Sequence, residues 1–162
     1  MKVLMFYKFS AIETELIPML EKYKKHTITL VVNGKTIKGY KRKLKDYSIN
    51  YYTMDKFING EKMEKFDYIV GNPPYQYPEG VNTSKKLYID ITKRCINLLN
   101  PTGEMSFITP KGILMDGRFN TTYKFISENL TMVDYTTNND FVIGQSVVSW
   151  NVTREYKIYY GD

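Results

Sequence analysis

Apolar and polar positions alternate along this chain in blocks that mark out its elements. Lys2 to Tyr7 (KVLMFY) is a short apolar run of the kind that forms a buried strand. Ser10 then has the character of a helix N-cap, and Glu13, three residues on, would complete a capping box. Ile12, Leu16, Met19, Leu20 and Tyr23 form a helical stripe, in which Pro18 predicts a kink or a restart. Thr27 to Val32, Asn33-Gly34 and Lys35 to Tyr40 spell a β-hairpin, because Asn-Gly suits the positive-φ positions of a type I′ turn. Ser48 to Thr53 predicts a further strand, followed by Met54-Asp55.

Phe66 to Val70 (FDYIV) is another strand, and it runs straight into Gly71-Asn72-Pro73-Pro74-Tyr75. Two consecutive prolines cannot continue a central strand, so it must end there. Ser84 can cap a helix with the stripe Leu87, Ile91, Cys95, Leu98 and Leu99, which Pro101 and Gly103 terminate. A strand at Met105 to Thr109, a helix around Thr122 to Asn129, a strand at Thr131 to Tyr135 and a mostly β segment from Gln145 to Tyr159 follow. From residue 66 onward, strands and helices alternate. That alternation predicts an α/β sheet whose ligands gather at the carboxyl ends of its strands, where Asn72 sits.

Composition adds bounds. A chain of 162 residues is long enough for one domain with a core. The formal net charge of +6 is uneven: residues 1–66 hold 14 Lys/Arg against 7 Asp/Glu, and the remainder is close to neutral. A basic half suits a polyanionic partner, although a plain soluble surface has the same composition. The densest cluster is Lys41, Arg42, Lys43 and Lys45, either a phosphate-binding patch or a solvated loop. Fifteen tyrosines can fill a core or stack nucleobases. A single cysteine, Cys95, excludes an internal disulfide, and with one histidine, His26, it leaves no soft-ligand metal cluster. No apolar run approaches membrane-spanning length and the first residues lack a signal-peptide layout, so a cytoplasmic protein is expected.

Asn72 to Tyr75 is the segment that carries chemistry. The Asn72 side-chain oxygen and the Pro73 carbonyl are two acceptors held at fixed positions, since Pro73 and Pro74 lock φ. Such a pair can take both hydrogens of a planar amine and leave its nitrogen more tetrahedral and more nucleophilic. Tyr75 offers a ring for an extruded base. A simple turn at a strand end has the same four residues.

Phe66 to Gln76 (FDYIVGNPPYQ) resembles the catalytic motif of amino-methyltransferases of the N-P-P-Y type. Residues 86–110, with LLNPTGEMSFITP, are similar to the helix-then-strand segment of restriction–modification adenine methylases. Asn138 to Trp150 resembles the family's later segment, in which an aromatic packs on the flipped base. Phe141 matches that aromatic, and a core role for it is equally open. Tyr52 to Phe57 resembles the strand-end acidic motif, with Asp55 as the residue that would meet the cofactor's adenine, and a plain helix-capping or solvated role for it is equally open. The resemblance spans about residues 48–157. It implies a single three-layer, Rossmann-like α/β methyltransferase domain over 1–162. Its sheet would be mostly parallel, with an antiparallel strand near the C-terminus. It also implies S-adenosylmethionine as cofactor, no metal, and adenine in DNA as substrate. Phe6, Tyr7 and Ser10 would lie near the cofactor.

One departure stands out. The family's first strand is followed by a glycine-rich D-P-x-x-G-x-G turn, whereas Lys8-Phe9-Ser10-Ala11 follows it here. The acidic residue expected after the second strand is also missing. Residues 1–65 therefore read as a degenerate cofactor-side half, and 66–162 as the catalytic half. An altered loop, a second chain that supplies the missing part, or a decoy that keeps only the base pocket would each account for it. No target-recognition domain is evident, so a homo-oligomer or a second subunit is expected. The same motif would equally serve a glutamine amide or RNA.

Overall fold

The computed structural model describes residues 1–78, 86–110, 124, 126, 128, 130–134 and 147–153. Among these described residues, seven strands form one sheet: β1 (Lys2–Phe6), β2 (Thr27–Val32), β3 (Ile49–Thr53), β4 (Phe66–Gly71), β5 (Leu99–Pro110), β6 (Leu130–Asp134) and β7 (Val147–Thr153). The strand order is β3-β2-β1-β4-β5-β7-β6. Strands β1 to β5 pair in parallel, and β7 runs antiparallel to both β5 and β6. The sheet is thus mostly parallel with one reversed strand near the C-terminus, as expected.

Side chains alternate across the strands and build a core on each face. Val3, Met5, Ile28, Leu30 and Val32 point to one side, where they meet Ile12, Leu16 and Leu20. Leu4, Phe6, Val31 and Ile69 point to the other and meet Ile91, Cys95 and Leu98. Burial of both faces is what makes β1 and β2 read as unbroken apolar runs. Helices α1 (Ile17–Tyr23) and α2 (Ile37–Lys43) follow β1 and β2. The short α3 (Met54–Ile58) follows β3, and α4 (Leu87–Leu98) precedes β5. Lys124, Ile126 and Glu128 are helical, and Ile126 is fully buried in the same core as Leu4, Phe6 and Ile91.

Three local expectations are corrected. The hairpin does not form. β2 has β1 on one edge and β3 on the other, both parallel, so no edge remains for residues 35–40. Instead, Asn33 Oδ1 accepts from the Lys35 N–H at 3.0 Å and opens a 3₁₀ turn (Gly34–Thr36) that leads into α2. Gly34 takes no positive φ; among the described residues only Gly60 and Gly71 do. The capping box at Ser10 is also absent. Ser10 lies inside a 3₁₀ turn (Phe9–Ala11), closed by Ala11 N–H donating to Lys8 O at 3.0 Å, and no side chain caps the helical turns that follow. Finally, α4 ends before Pro101: Leu99 is already extended and pairs with Phe66. A register irregularity in β5 then absorbs Asn100 to Gly103.

Pro18 acts as anticipated. One π-helical turn (Ile12–Leu16) precedes α1, and Pro18 sits in the first turn of α1, where its missing N–H costs little. Ser84 lies outside the described residues, and Lys86 is the N-cap of α4.

Candidate active site

Strand β1 is where the winding of the sheet reverses: β2 leads away from it on one side and β4 on the other. Open α/β sheets place ligands outside the carboxyl ends of the strands at such a point. The last residue of β1, Phe6, pairs with Gly71, the last residue of β4. Gly71 adopts φ of 152°, and a Cβ there would overlap the Phe6 carbonyl oxygen. Only glycine fits this crossing. The chain then turns so that the Asn72 N–H donates to the same Phe6 carbonyl at 2.8 Å.

Asn72 is buried, as are Pro73 and Tyr75. The Tyr75 hydroxyl donates to Asn72 Oδ1 at 2.8 Å. Its ring packs edge-on against Tyr88, with centroids 6.2 Å apart. The ammonium of Lys8 stands 5.4 Å from the Tyr75 ring centroid. Burial, with the Glu15 charge adding to it, pushes the Tyr75 phenol well above its ordinary range. Burial also raises the half-buried Glu15 carboxyl, against the opposing pull of the Asn72 side chain and of Lys8. Residues 8, 15, 72 and 75 therefore converge on one point. Glu15 had no signal in the sequence, and Lys8 stood out only as part of a loop that lacks glycine.

Beside this cluster lies a cavity of about 530 Å³. Its walls are the end of β1 and the residues that follow it (Phe6 to Phe9), the end of β2 with the turn that follows, α3, and the chain from Pro74 onward. The size falls within the range of small-molecule sites, ~300–1,000 Å³. Phe6, Tyr7 and Asp55, three of the four residues expected near a cofactor, line it together with Pro74. Ser10, the fourth, does not: it is exposed on the 3₁₀ turn. Asn33 and Tyr77 line the cavity without having been anticipated. Asn33 was hidden by the hairpin reading, although a polar residue at the carboxyl end of a strand is a recognisable signal. Tyr77 donates to Asp90, and burial together with that bond holds its phenol at about 12.

The glycine-poor turn is accommodated by moving its bulk sideways. Phe9 packs edge-on against Tyr40 at 5.2 Å. Its ring lies over Gly39, where a Cβ would come within 2.7 Å of it. The glycine that matters here is thus on α2, not in the turn. Lys41, Arg42, Lys43 and Lys45 are exposed on α2 and just beyond it, outside the cavity wall. Lys43 Nζ is 5.1 Å from the Phe9 ring centroid and 3.8 Å from Glu13. Phe141 lies outside the described residues. Among the described residues, no group of three His, Cys, Asp or Glu is placed to hold a metal, and no helix is long and apolar enough to cross a membrane.

The strand order and the site at its switch point define a Rossmann-like methyltransferase fold, and solved structures agree. A candidate class I S-adenosylmethionine-dependent methyltransferase from Listeria monocytogenes superposes with a TM-score of 0.65 at 13% identity, over 94% of this chain and 53% of that one. The M protein of the type I restriction enzyme EcoKI gives 0.60 at 14% identity, over 93% and 39%. TrmN from Thermus thermophilus gives 0.59 at 19% identity, over 94% and 43%. This chain spans about half the length of these proteins or less. No curated protein sequence matches it significantly. The family model of the Eco57I restriction-modification methylase matches residues 7–142, and the chain belongs to that family.

Proposed function

We propose that this chain transfers a methyl group from S-adenosylmethionine to the exocyclic amine of adenine in DNA. The observation that carries the reading is the Asn72–Pro73 acceptor pair, set at the carboxyl end of β4 beside a cavity of cofactor size. When bound, S-adenosylmethionine would supply an electrophilic sulfonium methyl and leave as S-adenosylhomocysteine, and the methylated amine would then release one proton to water. The chain's own residues do the rest. The Asn72 amide oxygen keeps a second lone pair beyond the one that Tyr75 uses, and it accepts one amine hydrogen. The Pro73 carbonyl accepts the other. Tyr75 turns from Tyr88 to face the base, which leaves the duplex to reach it. Asp55 and Asn33 are the polar groups suited to the cofactor's nucleoside, and the apolar walls exclude water.

Membership of a restriction-modification family supports DNA as the substrate, with Lys41, Arg42, Lys43 and Lys45 as phosphate contacts. A homo-oligomer or a second subunit would supply target recognition, and the cytoplasm is the compartment such a role requires. The test is incubation with duplex DNA and cofactor, followed by digestion and mass spectrometry for N6-methyladenine, with RNA and a glutamine peptide as parallel substrates. Methyladenine in DNA is expected, falling about 100-fold or more in Asn72→Ala, the scale seen when a positioned polar group is removed. Methyl transfer to RNA or the peptide alone would overturn the choice of substrate. Two observations favour a second reading. Tyr75 occupies Asn72 Oδ1 and the turn after β1 lacks glycine, as in a subunit that binds nucleic acid without catalysis. Cofactor binding without methylation of any substrate would select it.

A further inference from the structure

The cavity is largely apolar, and among its described lining residues two carry charge, Lys8 and Asp55. They stand on different walls. Lys8 is the second residue past β1, beside the Asn72–Tyr75 cluster. Asp55 is in the first turn of α3, at the end of β3. Because β1 and β3 are separated by β2, the two charges are spread across the width of the cavity. Such a cavity is polarised across that width, with its cation on the side nearest Asn72.

We propose that Lys8 is the anion-binding residue of this cavity and takes the carboxylate of an amino-acid tail. It thus replaces with one charge the backbone contacts of the missing glycine-rich turn. The inference rests on the reading of the cavity as a nucleoside-cofactor site and adds to it an orientation and a binding residue. Four observations support it. Lys8 makes no salt bridge with a described residue; its ammonium lies over the Tyr75 ring, a contact weak enough to exchange for a carboxylate. Its side chain is exposed, so a ligand can reach the ammonium without displacing a covering side chain. Extended backbone at Lys8 (φ −72°, ψ 152°) precedes the 3₁₀ turn and sets this residue on the cavity wall. And Glu15, the carboxylate that feels Lys8, lies outside the cavity lining, which leaves the lysine as the charged group on that wall. A nucleoside bearing a zwitterionic tail would lie with its base toward Asp55 and its tail toward Lys8. The reacting centre between them would then fall next to Asn72.

The experiment compares two ligands that differ in the tail alone. S-adenosylhomocysteine carries the amino-acid tail, and 5′-methylthioadenosine does not. Each is titrated calorimetrically into the wild type, Lys8→Met and Lys8→Arg. In the wild type, the tailed ligand should bind more tightly. Lys8→Met should weaken it by about tenfold or more, the usual loss for a charge-assisted contact. It should leave methylthioadenosine unchanged, which also reports an intact fold. Lys8→Arg should recover most of the difference. Equal binding of the tailed ligand by wild type and Lys8→Met would overturn the role of Lys8 while leaving the cavity a nucleoside site. A Lys8→Met defect confined to DNA binding would overturn it in favour of a phosphate contact. Failure of both ligands to bind the wild type would sink the cofactor site itself, and the proposal with it.

Discussion

The Tyr75 hydroxyl donates to the Asn72 side-chain oxygen, so the aromatic and the acceptor of the same short motif hold each other in place. Both are buried, and neither side chain is presented as an open platform. Under the proposed function, entry of a base would require the ring to exchange its contact with Tyr88 for one with the base, while Asn72 stays anchored through its own N–H to Phe6.

That arrangement separates two substitutions. Tyr75→Phe removes one buried hydrogen bond and should cost about 0.5–1.5 kcal/mol in urea unfolding. It keeps the ring, so methyl transfer should stay within about tenfold of wild type, given the modest size of one such bond. Tyr75→Ala removes the ring and should lose about 1–3 kcal/mol of base binding. The readout is the fluorescence of 2-aminopurine at the target position, which rises when a base leaves the stack.

Gly39→Ala sets two effects against each other. Within α2, alanine is favoured over glycine by about 1 kcal/mol. The new methyl also meets the Phe9 ring, and displacing a packed ring costs ~1–3 kcal/mol. Stability should therefore change little, while the displaced ring intrudes on the cavity. The expected outcome is a nearly unchanged melting temperature without ligand and a reduced upward shift on adding S-adenosylhomocysteine. An unaltered ligand shift would show that Phe9 has room elsewhere.

Replacing Lys41, Arg42 and Lys45 by alanine should weaken DNA binding and lower its dependence on salt. Every side chain that neutralises a phosphate should, on removal, reduce the slope of log K against log salt by about 0.9. Binding measured from low to physiological salt tests this. Parallel lines for wild type and variant would mean that these exposed side chains only solvate α2.

Asp67 predicts part of the acid limb of stability. It accepts from the Lys2 N–H at 2.8 Å and from Asn100 at 2.9 Å, and these bonds hold its carboxyl below the ordinary value of 3.8. A folded-state pKa below the unfolded one stabilises the fold above the unfolded value. That contribution disappears as pH falls through the folded value. Asp67→Asn should therefore be less stable than wild type at neutral pH and converge with it below the aspartate range. Denaturant titrations at a series of pH values would show the gap close, or show that there was none.

Much of the sheet was legible because its central strands are covered on both faces, so that KVLMF, TITLVV and FDYIV are almost unbroken apolar runs. The hairpin failed for a reason no local pattern contains. Asn33-Gly34 is a good turn signal, but whether β2 has a free edge depends on where β1 and β3 lie. The same limit applies to the site. Asn72 to Tyr75 could be read because two prolines preset their own geometry. The approach of Lys8 and Glu15 to that motif follows from β1 pairing with β4 and could not. Gly39 is far in sequence from the turn after β1, yet it is the space into which Phe9 fits.

The position of β1 in the sheet has a further consequence during synthesis. The earliest of the seven strands to leave the ribosome is an interior one, and one of its two neighbours, β4, emerges about sixty residues later. Until then a nascent chain can pair β1 with β2 and β2 with β3 but leaves the other edge of β1 open, with Leu4 and Phe6 lacking most of their apolar cover. The Asn72 motif follows directly on the strand that closes that edge. The corner that carries the candidate site is therefore completed in the same step that closes this edge of β1.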